Sequence, residues 1–217
     1  MAIRVLIVDD HSMVRQGLQM YFEDDPDVQI VGEARNGEEA VRLAEALAPE
    51  VVLMDLLMPV VDGFQATKAL RKVLPRAHSF AMTSVVEETG VHRAIEAGAI
   101  AYVLKDTRPE ELRNAVLAAA EGRVRFPAES AGRLMQDVST PDVDPMMLSA
   151  DCRGMLSLLA AGYSSAEIGH ALGRTQADVD AGLDAAMTHL NIGGRAQAVL
   201  YATRKGLVPA ELRPYLV

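Results

Sequence analysis

Three aspartates have the type and spacing to share one piece of chemistry. Asp9 and Asp10 follow the apolar run Ile3–Val8, and Asp55 closes the run Val51–Asp55. Two like charges about 4 Å apart repel by about 4 kcal/mol at an effective dielectric near 20, so carboxylates gathered in one cleft need a counter-charge. An all-oxygen donor set suits Mg²⁺. Lys105, after a later apolar run, offers a second positive charge, and Thr83 offers a hydroxyl. A metal ion, an ammonium and a hydroxyl around one carboxylate make a phosphoryl-transfer site, where positioning and charge neutralisation supply most of the catalysis.

These residues meet only if the elements that carry them are neighbours. Short β runs at Ile3–Val8, Val28–Glu33, Val51–Asp55, Ser79–Thr83 and Ile100–Val103 alternate with helical spacings. The helical residues are Val14, Leu18 and Phe22, then Ala40, Leu43 and Leu47, then Phe64, Leu70 and Leu74. Asn36 with Glu39 and Thr107 with Glu110 have capping-box spacing, and Pro109 suits a first helical turn. Serial βα units predict an α/β domain over residues 1–122, a doubly wound, five-stranded parallel sheet, for which the flavodoxin-like arrangement 2-1-3-4-5 is one common order. That order sets the first and third strands side by side, with Asp9, Asp10, Asp55, Thr83 and Lys105 at one edge.

After Gly122 the strand pattern stops. Residues 123–145 read as a linker with a short helix over 127–137 and an acidic, Pro-containing end. Residues 146–217 read as a small all-α domain with helices near 149–161, 164–171, 175–189 and 194–205. A length of 217 residues suits two such domains, and 50% hydrophobic content allows each a core. One cysteine, Cys152, excludes a disulfide framework and a Cys-rich zinc site. No apolar run reaches membrane length, which predicts a cytoplasmic protein. The net charge of −9 lies entirely within residues 1–145, and residues 146–217 are balanced. No P-loop, dinucleotide fingerprint or H-E-x-x-H motif occurs, so the chain reads as a phosphoryl acceptor with at most slow self-dephosphorylation, not an enzyme.

The motifs VDDH (8–11), LMDLLMPVVDG (53–63), MTS (82–84) and AYVLKDT (101–107) resemble a two-component receiver domain. The resemblance implies that a sensor histidine kinase phosphorylates Asp55. It further implies Mg²⁺ on Asp10, Asp55 and the Leu57 carbonyl, with Asp9 assisting through water. Thr83 and Lys105 would hold the phosphoryl oxygens, and Tyr102 would be the switch residue. Residues 148–208 resemble the LuxR-type helix-turn-helix of NarL/FixJ response regulators, which implies DNA binding, transcription regulation and dimerisation through the last helix, at Val199, Leu200 and Tyr201.

The helix over 175–189 departs from that pattern. In the family this helix enters the major groove and usually carries Lys and His, whereas here Asp180 and Gly182 stand in those places. No Lys or Arg occurs between 175 and 190, and Asp180 and Asp184 form a like-charge pair on the outer face with Ala181. The remaining candidates for DNA contact are Ser164, Ser165, Arg174, Thr175, Gln176 and Arg195. A second reading therefore stands beside DNA binding: an effector domain that acts through protein partners or a heterodimer.

Overall fold

The computed structural model describes residues 2–84, 88–124 and 140–208. Five strands, β1 (Ile3–Val8), β2 (Val28–Ala34), β3 (Val51–Asp55), β4 (His78–Thr83) and β5 (Ala101–Leu104), pair in parallel in the order β2-β1-β3-β4-β5. Five helices alternate with them: α1 (Ser12–Phe22), α2 (Gly37–Leu47), α3 (Gly63–Val73), α4 (Glu88–Ala97) and α5 (Pro109–Ala120). The expected sheet, its order and its helices are all present, with strand ends displaced by no more than a residue.

Each strand feeds two cores. Val5, Ile7, Val51, Leu53, Phe80 and Met82 point to one face, where they meet Phe22 of α1 and Leu112, Ala115 and Val116 of α5. Leu6, Val8, Val52 and Met54 point to the other, against Ala40 and Ala44 of α2 and Ala66 and Leu70 of α3. Burial on both faces explains why these strands read as continuous apolar runs. Asn36 caps α2 by accepting from the Glu39 backbone N–H. Thr107 does not cap α5. Pro109 starts that helix with Arg108 at the N-cap and no side-chain cap bond, which leaves Thr107 one residue outside.

The C-terminal domain opens with a 3₁₀ turn, Pro145–Met147, and holds α6 (Ala150–Ala160), α7 (Ser165–Leu172), α8 (Gln176–His189) and α9 (Arg195–Arg204). Leu156, Leu159, Ile168, Val179, Leu183, Leu190 and Tyr201 form its core. Ser164 and Glu167 complete a reciprocal capping box at the head of α7, as their spacing predicts. At Gly182 a Cβ would lie 2.7 Å from the Met155 sulfur of α6, so a side chain there would have to displace the thioether. The helix expected over 127–137 lies outside the described residues. Among the described residues no helix is long and apolar enough to cross a membrane.

Two clasps join the domains. Arg123, just after α5, donates to the Gly162 carbonyl at 2.7 Å and pairs with Glu167 at 2.9 Å. Ala196 and Leu200 of α9 enter an apolar cluster with Val91, Ala94 and Ile95 of α4 and Tyr102 of β5.

Candidate phosphoacceptor site and effector surface

The carboxyl ends of β1 and β3 are adjacent, and the site is built there. Asp9 is fully buried and Asp55 nearly so, whereas Asp10 is exposed at the rim. Lys105, carried by the turn after β5, reaches across to both buried carboxylates, 2.6 Å from Asp9 and 2.8 Å from Asp55. The Leu57 backbone N–H donates to Asp55 at 3.2 Å. Gly63 is obligatory behind this point, because a Cβ there would lie 2.1 Å from the Asp55 carbonyl oxygen. Thr83 is buried at the end of β4.

Burial pushes the Asp55 carboxyl above the usual carboxylate range, against the opposing pull of Lys105 and the Leu57 N–H. Burial alone would lower Lys105, but its bonds to Asp55 and Asp9 outweigh that and hold the ammonium above its ordinary range. The pocket thus keeps a fixed cation beside the carboxylate that would receive charge.

Oxygen atoms of Asp9, Asp10 and Asp55 and a ring nitrogen of His11 all lie within 4.8 Å of one another. Such a set fits a divalent cation. His11 was not singled out from the sequence; its ring nitrogen lies 2.8 Å from Asp10. The signal was present in VDDH, but nothing in spacing alone turns that ring back over the carboxylates. Arg15 was also missed: it donates to the Asp9 carbonyl at 2.7 Å and pairs with Glu33, holding the end of β1 from below.

Residues 5–117 match the model of the response regulator receiver domain. Over 95% of its length the chain is 36% identical to the transcriptional regulatory protein LiaR of Bacillus subtilis, covering 99% of that protein. The chain belongs to the two-component response regulators. The response regulator protein VraR of Staphylococcus aureus is likewise 36% identical, across 96% of this chain and 100% of its own. The solved structure of the response regulator ChrA, from a heme-sensing two-component system, covers 95% of this chain and 99% of its own at 32% identity, with a TM-score of 0.52. With a receiver domain followed by a LuxR-type effector, this response regulator is a phosphorylation-controlled transcriptional regulator.

The regulator's effector surface divides into two sets. Gln176, Ala181, Asp184 and Thr175 are exposed along α8, with Thr175 capping that helix through the Asp178 N–H. Arg174 is exposed and paired with Asp151. The other candidates turn inward. Ser164 is buried in its capping box, and Ser165, Asp180 and Arg195 bond to one another. Ser165 donates to Asp180 at 2.6 Å, and the buried Arg195 donates to Asp180 at 2.5 Å and to Ser165 at 2.8 Å. Asp180 therefore has an internal partner where the sequence suggested an outward-facing charge.

The residues expected at a dimer contact are similarly engaged. Val199 and Tyr201 lie in the effector core, and the Tyr201 hydroxyl donates to the Val143 carbonyl at 2.9 Å. Leu200 faces the receiver cluster instead. Lys205 pairs with Asp142 at 2.6 Å and Arg204 donates to Thr140 at 2.7 Å, so the described end of the linker runs along α9.

Proposed function

We propose that Asp55 accepts a phosphoryl group from a sensor histidine kinase, and that the modification releases residues 146–217 from the receiver to bind duplex DNA as a homodimer. The carrying observation is Lys105, whose ammonium joins Asp9 and Asp55 within one buried pocket. In the transfer, an Asp55 carboxylate oxygen forms a bond to phosphorus as the phosphorus–nitrogen bond of the kinase's phosphohistidine breaks. Lys105 is positioned to follow one phosphoryl oxygen, and Thr83 to donate to another. Asp9, Asp10 and Asp55, with the Leu57 carbonyl, would hold Mg²⁺. When bound, that ion would neutralise charge on the phosphoryl oxygens.

Release follows from shared packing. Tyr102, the proposed switch residue, lies in the same apolar cluster as Leu200 and Ala196 of α9. A change of its rotamer drawn by Thr83 alters the surface that holds the effector, and phosphorylation shifts the population toward an open form. The test is exposure of the full chain to acetyl phosphate with Mg²⁺. The reading requires one phosphoryl group per chain on Asp55 and loss of that label in Asp55→Asn. A label elsewhere, or none, contradicts it.

A second reading rests on α8. This helix has no Lys or Arg and exposes Asp178 and Asp184. DNA affinity depends on neutralising phosphates, so such a face weakens duplex binding. On this reading the released effector engages a protein or a heterodimer partner with a DNA-binding relative.

A further inference from the structure

The seam between the domains holds a polar group that phosphoryl chemistry does not use. His78 opens β4, and its ring is partly buried where the end of α5 meets the effector. A Cβ on Gly122 would lie 3.3 Å from His78 Nε2 and 2.8 Å from Arg195 Nη1, so this one glycine backbone sits against both side chains. Arg195 gives its Nη2 to Asp180 and Ser165, while its buried Nη1 has no hydrogen-bond partner among the described residues. A permanent cation from α9 is thus docked beside a receiver imidazole.

We propose that His78 is a proton-sensitive latch between the receiver and the effector, closed when its ring is neutral and released when the ring is charged. The charged groups acting on the ring are Arg195 of α9 and Asp180 of α8. Asp184, with Arg76 in electrostatic reach, lies beyond them. Asp180 is already bonded to Arg195, and this pair belongs wholly to the effector. Opening the seam therefore breaks no bond between them, and removes burial and the adjacent guanidinium from His78 together.

Burial, with Arg195 beside it, pushes the docked imidazole down to about 4. Freed, the ring returns to an ordinary value near 6.5. The sign follows directly: docking is full strength above about pH 6.5 and weakens as pH falls toward 4, because the open form takes up the proton first. Between pH 7.5 and pH 5 the open-to-closed ratio rises by about 30-fold. Glu167, held low by Arg123, is the other titrating partner across the seam, and its contribution is lost only at lower pH. Opening by phosphorylation would in turn raise the proton affinity of His78, since linkage acts both ways.

Two measurements on the full, unphosphorylated chain test this. The first is the titration of the His78 ring by NMR, its signal identified by loss in His78→Asn. The expected midpoint lies at least about one unit below 6.5, returning toward 6.5 in Leu200→Glu, which disrupts the receiver contact without entering the effector core. A midpoint near 6.5 in the native chain overturns the proposal. The second uses Leu200→Ala, which loosens the seam so that both forms are populated, with small-angle scattering at pH 7.5 and 5. The open fraction should rise on acidification, and adding His78→Asn should flatten that response. A pH step that survives His78→Asn also overturns the proposal.

Discussion

Aspartates at the two functional surfaces of this regulator meet opposite fates. In the receiver, Asp9 and Asp55 are buried around one ammonium with Asp10 at the rim, leaving oxygen atoms directed at a common point for an incoming ion. In the effector, Asp180 spends its charge on Arg195 and Ser165 within the same domain. Clustered carboxylates without enough internal cations are poised for a ligand, whereas a carboxylate matched by a buried guanidinium is structural. The same side chain thus reads as chemistry in one place and as architecture in the other.

The largest effect is expected at Asp55. Asp55→Asn removes the attacking oxygen, and phosphoryl uptake from acetyl phosphate should fall to background by mass spectrometry, with the fold retained. In the effector, Arg195→Ala leaves Asp180 partly buried without its cation, and should cost about 3 kcal/mol in chemical denaturation. A loss below about 1 kcal/mol would return Asp180 to the class of surface charges.

Charge reversal on α8 then separates two neighbours. Asp180→Lys places an ammonium against Arg195 and should destabilise by roughly 2–3 kcal/mol. Asp184→Lys, on the exposed face, should stay within about 0.5 kcal/mol. Equal effects of the two would remove the distinction drawn between them. Between these two lies Tyr201→Phe, which loses the bond to the Val143 carbonyl and should cost about 1 kcal/mol. That change should also make the linker more susceptible to protease than the core helices.

The receiver was legible because its signals are local and agree with one another. Continuous apolar runs, helical spacings between them, caps such as Asn36 and the Asp and Lys residues at strand ends all agree with one doubly wound sheet, and its order β2-β1-β3-β4-β5 brings the pocket together. The effector helices were legible for the same reason, from Ser164 and Glu167 to the Val179–Leu183 face. The role of Asp180 was hidden, because its partner Arg195 stands fifteen residues away beyond a Gly-Gly turn. Helical spacing assigns a face but not the long-range cation that reaches it. Gly182 stood out only as a departure from the family pattern, because its close approach to Met155 is tertiary. Thr107 shows the reverse error, a good local spacing displaced by one residue because Pro109 sets where α5 begins.

On the proposed function, phosphorylation of Asp55 uncovers an effector that reads DNA. The most direct test of this function is selection from a random duplex pool by the full-length chain with Mg²⁺ and beryllofluoride, at two salt concentrations, with Asp55→Asn in parallel. The treated native chain should enrich a two-fold site, less so at higher salt, and Asp55→Asn should enrich none. Failure of the treated chain to retain any duplex even at low salt would contradict that function and leave protein partners as the effector's targets.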